Sequence, residues 1–414
     1  MKTLRYSQDR VMSLRLTPEL GAYALSFIIV FVNLNNYIST YNLARYVMLA
    51  VLGIFVCLKM RIILSACNQT MYVLWIIFAF IVIVSSFLNR NTYAERNPFL
   101  ASVVFFGGLI EMLAIVHYAM VKDHLDLLMN VFYWLGLGLL IINDAMLFAM
   151  EPSGSYLVGD KFRMTYFHML VIALWLFRVY RLRKERYVST IVTGVLLFAL
   201  SFASSIRADC MTGVVGLVLM MLWMVIGAIA PRFVRNPITV VVAVLLSHVF
   251  MYVSTAVLNT PFISRIIEQV FQHDSTLSMR TSIYEVVPKA IAEHPIIGHG
   301  YGISFLVLTR CNHGAFIPDS QNGLAEWLVF GGLAAGIILV SMIAYVFRCV
   351  ATTRNWSPSL NALVAILYAY ICMATVEVTF GEDFFAILML IYVFAIFRAA
   401  HPATLKPSEK RTVL

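Results

Sequence analysis

Apolar runs of about 20 residues recur along almost the whole chain, and they restrict its fold more than any other feature. Each run is long enough to cross a hydrocarbon core about 30 Å thick as a helix. The runs are continuous rather than alternating, which argues against a closed barrel. Only 12% of the residues are charged, whereas a soluble domain has about 25%. The sequence therefore predicts an all-α polytopic membrane protein.

The apolar runs predict twelve transmembrane helices. The first nine fall within residues 1–257, a long loop covers 258–321, and the last three spans and a tail cover 322–414. The predicted spans are 19–38, 43–60, 70–88, 98–121, 126–149, 164–180, 187–206, 211–230, 237–257, 322–346, 359–376 and 383–398.

The positions of lysine and arginine predict the orientation of the spans. Twenty of the 30 basic residues lie in segments that share one side if the N-terminus is cytoplasmic, and the cluster at 178–186 is the densest. Both termini are then cytoplasmic, and the 258–321 loop lies outside. The net charge of +9 is thereby a topology signal, because no basic soluble domain exists that could bind nucleic acid.

The long outer loop has two segments with helical periodicity. Apolar residues recur at helical spacing in 261–273 and in 280–295, where Pro288 predicts a kink. Such helices lie along an interface or over a cavity, with surface helices that bind nothing as the alternative. Glycines then occupy alternate positions at Gly298, Gly300 and Gly302, where they permit either tight turns or close approach of a ligand.

Two arginines on the predicted outer side suggest an anion site. Arg207 follows the seventh span and Arg280 opens the second loop helix. Each has an ordinary alternative: Arg207 as an interfacial arginine paired with Asp209, and Arg280 as a solvated one. Together they suit a diphosphate, because guanidinium binds phosphate oxygens bidentately and keeps its charge.

Other ionisable and thiol residues are scattered through the spans. Cys210 and Cys311 share the outer side, where free thiols or a disulfide are both open. Ionisable side chains inside spans predict helix contacts, or the relay of a proton-coupled transporter. These residues are Glu111, His117, Asp144, His168, His248 and Glu326.

The order of these features resembles the O-antigen ligase and Wzy-type polysaccharide polymerase superfamily. The resemblance rests on the arginine in "SSIRAD" (Arg207), the arginine and aromatic in "MRTSIYE" (Arg280 and Tyr284), and the P-x-x-G-x-G-x-G stretch at 295–302. A fourth element is Asn322 with a glycine ten residues beyond it. The preceding position, where the family commonly carries histidine, is Gln321 here.

The resemblance implies a metal-independent, inverting glycosyl transfer without a cofactor in a bacterial inner membrane. The donor would be a glycan on undecaprenyl diphosphate, and the acceptor a sugar hydroxyl on another repeat unit or on lipid A–core. Arg207 and Arg280 would bind the diphosphate. Membrane lipids and a chain-length regulator are the other expected partners.

The departure at Gln321 leaves the general base open, because an amide accepts no proton at neutral pH. The nearby candidates are Asp319, Glu326 and His313. Gln321, Asn322 and Tyr284 are expected to bind the acceptor. Since polymerases vary more than ligases at the histidine position, the sequence favours a polymerase over a ligase. A lipid-linked oligosaccharide flippase, a proton-coupled transporter and an inert scaffold are the remaining alternatives.

Overall fold

The structure is a computed structural model. It describes residues 17–35, 37–65, 69–93, 95–149, 155–182, 187–258, 280–353 and 356–400, so the predicted loop helix at 261–273 and both termini lie outside the described residues. The helices are α1 (Pro18–Phe31), α2 (Tyr41–Ser65), α3 (Gln69–Leu88), α4 (Pro98–Val121), α5 (Leu125–Ala149), α6 (Lys161–Leu182), α7 (Tyr187–Arg207), α8 (Met211–Ile229), α9 (Pro231–Val234), α10 (Pro237–Leu258), α11 (Arg280–Glu293), α12 (Ser304–Cys311), α13 (Gly323–Thr352), α14 (Pro358–Met373) and α15 (Glu382–Ala400). A two-residue antiparallel hairpin pairs β1 (Ser155–Tyr156) with β2 (Gly159–Asp160).

The predicted all-α membrane class is confirmed. Each predicted span coincides with a helix, and eight helices among the described residues are long and apolar enough to cross a membrane. Twelve crossings stay a prediction, because α1 has 14 residues and α14 has 16, fewer than the roughly 20 of a perpendicular span. The first span also ends earlier than predicted, at Phe31 rather than residue 38.

Helices α14 and α15 form the centre of the bundle. α14 packs against α6, α8, α10 and α15, while α15 packs against α1, α4, α13 and α14. Nearly every side chain of α14 is buried, and alanines between its larger residues permit close helix packing. The outer helices instead carry exposed apolar side chains, such as Leu58, Val195 and Ile229, as expected where helices face lipid.

The predicted second loop helix is α11. Its apolar face, Ile283, Val286, Val287 and Ala290, is buried in a cluster with side chains of α10, α12 and α13. The face therefore anchors α11 on the bundle, and Arg280 is held at the beginning of this fixed helix. Cys210 and Cys311 are both free thiols, so the disulfide alternative is wrong.

The glycine stretch packs on a break in α13. Gly332 has a φ of 63° inside this helix, so the backbone leaves the α-helical hydrogen-bond pattern there. The N–H groups of Leu333 and Ala334 donate to the carbonyls of Pro295 and Ile296 at 2.8 and 3.1 Å. A Cβ on Gly298 would lie 2.6 Å from the Gly332 nitrogen. The glycines therefore permit approach of protein backbone, and of the two alternatives the turn is the one observed.

Candidate functional site

A cavity of about 670 Å³ opens at the end of the bundle where α7 and α14 end and α8 and α13 begin. Most of its wall is apolar. Along α8 the apolar side chains Met211, Val215 and Leu219 line it at intervals of four residues, which is about 12 Å of helix. The polar residues that line it are Lys161, Asp209, Thr212, Arg280, Ser282, Asn312, Gln321 and Glu377.

Arg280 lines the cavity at the beginning of α11 and is held from two sides. One terminal nitrogen of its guanidinium lies 2.6 Å from Oε1 of Glu377, and its Nε donates to Oε1 of Gln321 at 3.1 Å. Its side chain is 17% exposed, and that of Glu377 is 6% exposed. These contacts fix a permanent cation in a mostly apolar wall, which is the property that an anion site needs.

Asp319 fixes the position of Gln321 through two hydrogen bonds. Both the backbone N–H and the Nε2 of Gln321 donate to Oδ1 of Asp319 at 2.8 Å. Gln321 has a φ of 50°, an uncommon value for a residue with a side chain, and these two hydrogen bonds stabilise it. Burial raises the pKa of the Asp319 carboxyl, and the hydrogen bonds from Gln321 oppose that shift. Asp319 thus orients Gln321, and it is not among the residues that line the cavity.

Asn322 is the N-cap of α13. Its Oδ1 accepts a hydrogen bond from the N–H of Ala325 at 3.0 Å, and its Nδ2 donates to the carbonyl of Ser247 at 2.8 Å. The residue is fully buried. Both ends of the amide are used inside the protein, so Asn322 has a capping role, and its contact with an acceptor stays a prediction.

The hydroxyl of Tyr284 donates a hydrogen bond to the loop that carries Gln321. This hydroxyl lies 3.1 Å from the carbonyls of both Gln321 and Thr375. Burial raises the pKa of the Tyr284 phenol, so it stays protonated. Tyr284 does not line the cavity and links α11 to two neighbouring loops, while its contact with the acceptor stays a prediction.

The other two predicted base candidates, Glu326 and His313, also lie away from the cavity wall. Glu326 is buried in α13, where its carboxylate accepts hydrogen bonds from the hydroxyl of Ser304 and, at 3.0 Å, from the N–H of Ser320. His313 is exposed in the turn after α12. Neither residue lines the cavity. Glu326 instead joins the beginning of α13 to the preceding loop.

Arg207 lies at the end of α7 beside the cavity but is not among the residues that line it. Its side chain is exposed, and Asp209, two residues later, belongs to the wall. Asp209 faces Lys161 rather than Arg207: Lys161 Nζ lies 3.8 Å from Oδ2 of Asp209 and 3.1 Å from its carbonyl oxygen. The structure thus brings Arg280 and Lys161 to one cavity, with Arg207 outside its wall.

Sequence reasoning missed two charged residues of the wall, Lys161 and Glu377. Lys161 begins α6, and Glu377 follows the buried helix α14 in the segment "VEVTFGED". The signal that could have identified Glu377 is a carboxylate directly after an apolar run. Burial raises its pKa to about 7, although the nearby Arg280 acts in the opposite direction. Within the described residues no three His, Cys, Asp or Glu side chains cluster so that they could hold a metal ion.

Residues 207–340 match the model of the O-antigen ligase family (Wzy_C). The resemblance predicted from the sequence is confirmed. The match begins at Arg207 and includes Arg280, the glycine stretch and Gln321, but not Lys161 or Glu377. No curated protein matches the chain.

The family supports an enzymatic role in O-antigen biosynthesis, of the ligase or polymerase type, and a bacterial membrane location. It also implies a lipid-linked glycan and an acceptor as substrates. The matched segment contributes Arg280, Ser282, Ile283, Asn312 and Gln321 to the wall, together with much of α8. The cavity is therefore the candidate active site.

Proposed function

We propose that the protein is a membrane glycosyltransferase that joins lipid-linked oligosaccharide repeat units into a polysaccharide. Undecaprenyl diphosphate would carry the donor glycan, and a sugar hydroxyl of another repeat unit would be the acceptor. The observation that carries the proposal is a fixed arginine, Arg280, in the wall of an otherwise largely apolar cavity at one end of a membrane bundle. A lipid diphosphate has the complementary chemistry, an anion joined to a long apolar chain.

The charges of the cavity suit a diphosphate. Arg280 and Lys161 both line it, and each is paired with a carboxylate, Glu377 and Asp209 respectively. Phosphate oxygens that replace these carboxylates would meet two cations, one of them able to bind bidentately. Arg207, which is exposed two residues before the wall residue Asp209, would contact a headgroup that extends out of the cavity. The apolar wall along α8 would receive the first isoprene units.

The reaction would be a direct displacement. The acceptor oxygen attacks the anomeric carbon, the bond from that carbon to the diphosphate oxygen breaks, and the lipid diphosphate leaves with the electron pair. Negative charge grows on the diphosphate as this bond breaks, so cations in a low-dielectric wall stabilise the transition state more than the ground state. The single displacement inverts the configuration of the anomeric carbon.

The segments that line the cavity are those that the distribution of basic residues predicts to lie outside the cytoplasm. They are the beginning of α6, the turn between α7 and α8, the 280–321 segment and the turn after α14. We therefore assign the reaction to the periplasmic face of the inner membrane. A chain-length regulator would act from the same side.

The polymerase assignment is favoured over ligation to lipid A–core because Gln321 stands where ligases resemble one another most closely. The two reactions differ in what accumulates when the gene is deleted. Loss of polymer with single repeats retained on lipid A–core indicates a polymerase, and lipid-linked chains that are no longer attached indicate a ligase. A polysaccharide gel with analysis of the lipid-linked pool distinguishes them.

The deletion strain also provides the direct test of the site. Complementation with Arg280→Ala should give no long chains, while Glu285→Ala, which removes an exposed charge from the same helix, should restore them. Normal chain lengths with Arg280→Ala would refute the diphosphate site. A flippase would behave differently, because its loss leaves the repeat units on the cytoplasmic leaflet.

The buried ionisable residues give the carrier alternatives less support. Asp144 and His168 form a contact of 3.2 Å among α5, α6 and α7, and the hydroxyl of Ser204 donates to Asp144 at 2.6 Å. Neither Asp144 nor His168 lines the cavity. These contacts join neighbouring helices, which is the ordinary role of intramembrane polar groups.

A further inference from the structure

None of the site residues described above is assigned as the general base that accepts the proton of the acceptor hydroxyl. Gln321 is an amide, and Asp319, whose Oδ1 accepts two hydrogen bonds from Gln321, does not line the cavity. Glu326 and His313 do not line the cavity. A reaction that deprotonates a sugar hydroxyl gains about 10²–10⁴ in rate from a positioned base, so the other carboxylates of the wall are the groups to compare.

Among the described residues that line the cavity, the carboxylates are Asp209 and Glu377. The side chain of Asp209 is 85% exposed and lies against Lys161, where water can reach it freely. The side chain of Glu377 is 6% exposed and stands beside Arg280. Of these two described carboxylates, Glu377 therefore combines a place next to the expected diphosphate site with shielding from water.

The two carboxylate oxygens of Glu377 are differently engaged. Oε1 accepts the hydrogen bond from Arg280 at 2.6 Å, and Oε2 takes no hydrogen bond from the described part of the chain. The turn between α14 and α15 that carries Glu377 is fixed, because the carbonyl of Thr375 lies 3.1 Å from the hydroxyl of Tyr284. Oε2 is thus a positioned acceptor in the wall.

We propose that Glu377 is the general base of the transfer, an inference that rests on the proposed function. Oε2 would accept the proton of the acceptor hydroxyl as the oxygen forms its bond to the anomeric carbon. The bond from the anomeric carbon to the diphosphate breaks at the same time, and its electron pair leaves with the lipid diphosphate. The protonated Glu377 then returns its proton to solvent, so no further reactant is needed.

The electrostatic surroundings fit this role. Burial raises the pKa of Glu377 to about 7, with Arg280 opposing and Asp319 adding to the shift, and a base is most effective when its pKa is near the working pH. A diphosphate that draws Arg280 away from Oε1 removes the opposing effect, so donor binding makes the carboxylate more basic. The titratable groups that face Glu377 are Arg280, Tyr284, Asp319, Asp160, Tyr166 and Cys210.

The test measures glycosyl transfer by the purified full-length protein in detergent. The substrate is the lipid-linked repeat unit that accumulates in the deletion strain. Glu377→Gln keeps the size of the side chain and should lower kcat by about 10²–10⁴, with the donor KM unchanged or lower. Glu377→Asp should retain part of the activity. The matched control Glu285→Gln changes an exposed carboxylate on α11 and should leave kcat unchanged.

The pH profile separates a base from a residue that only positions Arg280. Wild-type kcat should rise with pH on a limb that lies at or above about pH 7, and this limb should be absent from the residual activity of Glu377→Gln. Binding of undecaprenyl diphosphate alone and the apparent Tm confirm that the variant is folded. A kcat within threefold of wild type, or a loss confined to donor KM, would overturn the proposal.

The result is distinguishable from failure of the proposed function. If Arg280→Ala abolishes transfer while Glu377→Gln retains it, the glycosyltransferase assignment stands and Glu377 is not the base. If the wild-type protein itself transfers nothing from the purified donor, the proposed function fails first.

Discussion

The Nε of Arg280 donates a hydrogen bond to Oε1 of Gln321 at 3.1 Å. Gln321, at the family's histidine position, therefore contacts Arg280, the residue that is expected to bind the diphosphate. Gln321→Ala removes this acceptor while Glu377 still holds the guanidinium. A hydrogen bond to a charged group is worth about 1.5 kcal/mol, so the donor KM should rise about tenfold. Steady-state kinetics should show kcat within about threefold; a kcat lower by 10² or more would instead indicate a chemical role.

Lys161 should contribute to donor binding, because its Nζ shares the cavity with the Arg280 guanidinium. Lys161→Ala should raise the donor KM about tenfold, as expected when one charged contact of about 1.4 kcal/mol is lost. Lys161→Arg should retain most of the binding. Lys122→Ala removes an exposed lysine after α4 that does not line the cavity and should bind donor normally. Equal KM values for Lys161→Ala and wild type would remove Lys161 from the site.

The fold was largely predictable because helix formation in a membrane follows local hydrophobicity. Each predicted span coincides with a helix, since every backbone polar group must be satisfied within its own segment. The end of α1 was not predictable from apolar content. Residues 32–38 include three asparagines among apolar side chains, and the hydroxyl of Tyr41 donates to the carbonyl of Val32, a contact made by a turn rather than by a longer helix.

The candidate site was only partly predictable. Arg280 and Gln321 belong to a segment with recognisable spacing, and both line the cavity. Lys161 and Glu377 are more than 200 residues apart in sequence and meet only through the packing of α14 against α6 and α8. The functional role predicted for Asn322 follows from the family resemblance, and that of Glu326 from the cost of a carboxylate inside a span. The structure shows that capping and a link between loops satisfy them.

The break in α13 should depend on Gly332. A Cβ at this position would lie 2.3 Å from the carbonyl carbon of Ile296, and its φ of 63° disfavours side chains. Gly332→Ala should therefore lower the free energy of unfolding by an amount on the order of 1–3 kcal/mol or more. The apparent Tm should fall strongly, or the folded protein should fail to accumulate. Fluorescence-detected size exclusion after heating measures this change.

Gly138→Ala is the control for the Gly332 variant. Gly138 lies in α5 with no atom within 4 Å of an added Cβ, and alanine favours helix by about 1 kcal/mol over glycine. Its apparent Tm should be equal to or above wild type. A Gly332→Ala protein as stable as Gly138→Ala would show that the contact between the 295–302 segment and α13 is looser than described.

Glu326 should matter for stability rather than for chemistry. Glu326→Ala leaves the hydroxyl of Ser304 and the N–H of Ser320 without their acceptor in a buried site, which costs about 1–3 kcal/mol. The apparent Tm should fall, and the activity per folded molecule should stay within about threefold. Glu285→Ala, at an exposed position, should leave the Tm unchanged. A stable but inactive Glu326→Ala would return Glu326 to the list of base candidates.

The raised pKa of Glu377 should make stability depend on pH in a definite direction. The carboxyl has a pKa of about 7 in the folded protein and an ordinary value of 4.5, so between these values the folded state binds more protons than the unfolded state. The contribution of Glu377 is then most favourable below about pH 4.5 and declines as the pH rises to about 7. Glu377→Gln does not titrate. Apparent Tm values of the donor-free protein between pH 4.5 and 8 should therefore fall more steeply for wild type than for the variant. Parallel curves would show that this carboxyl has an ordinary pKa and is ill suited to act as a base near neutral pH.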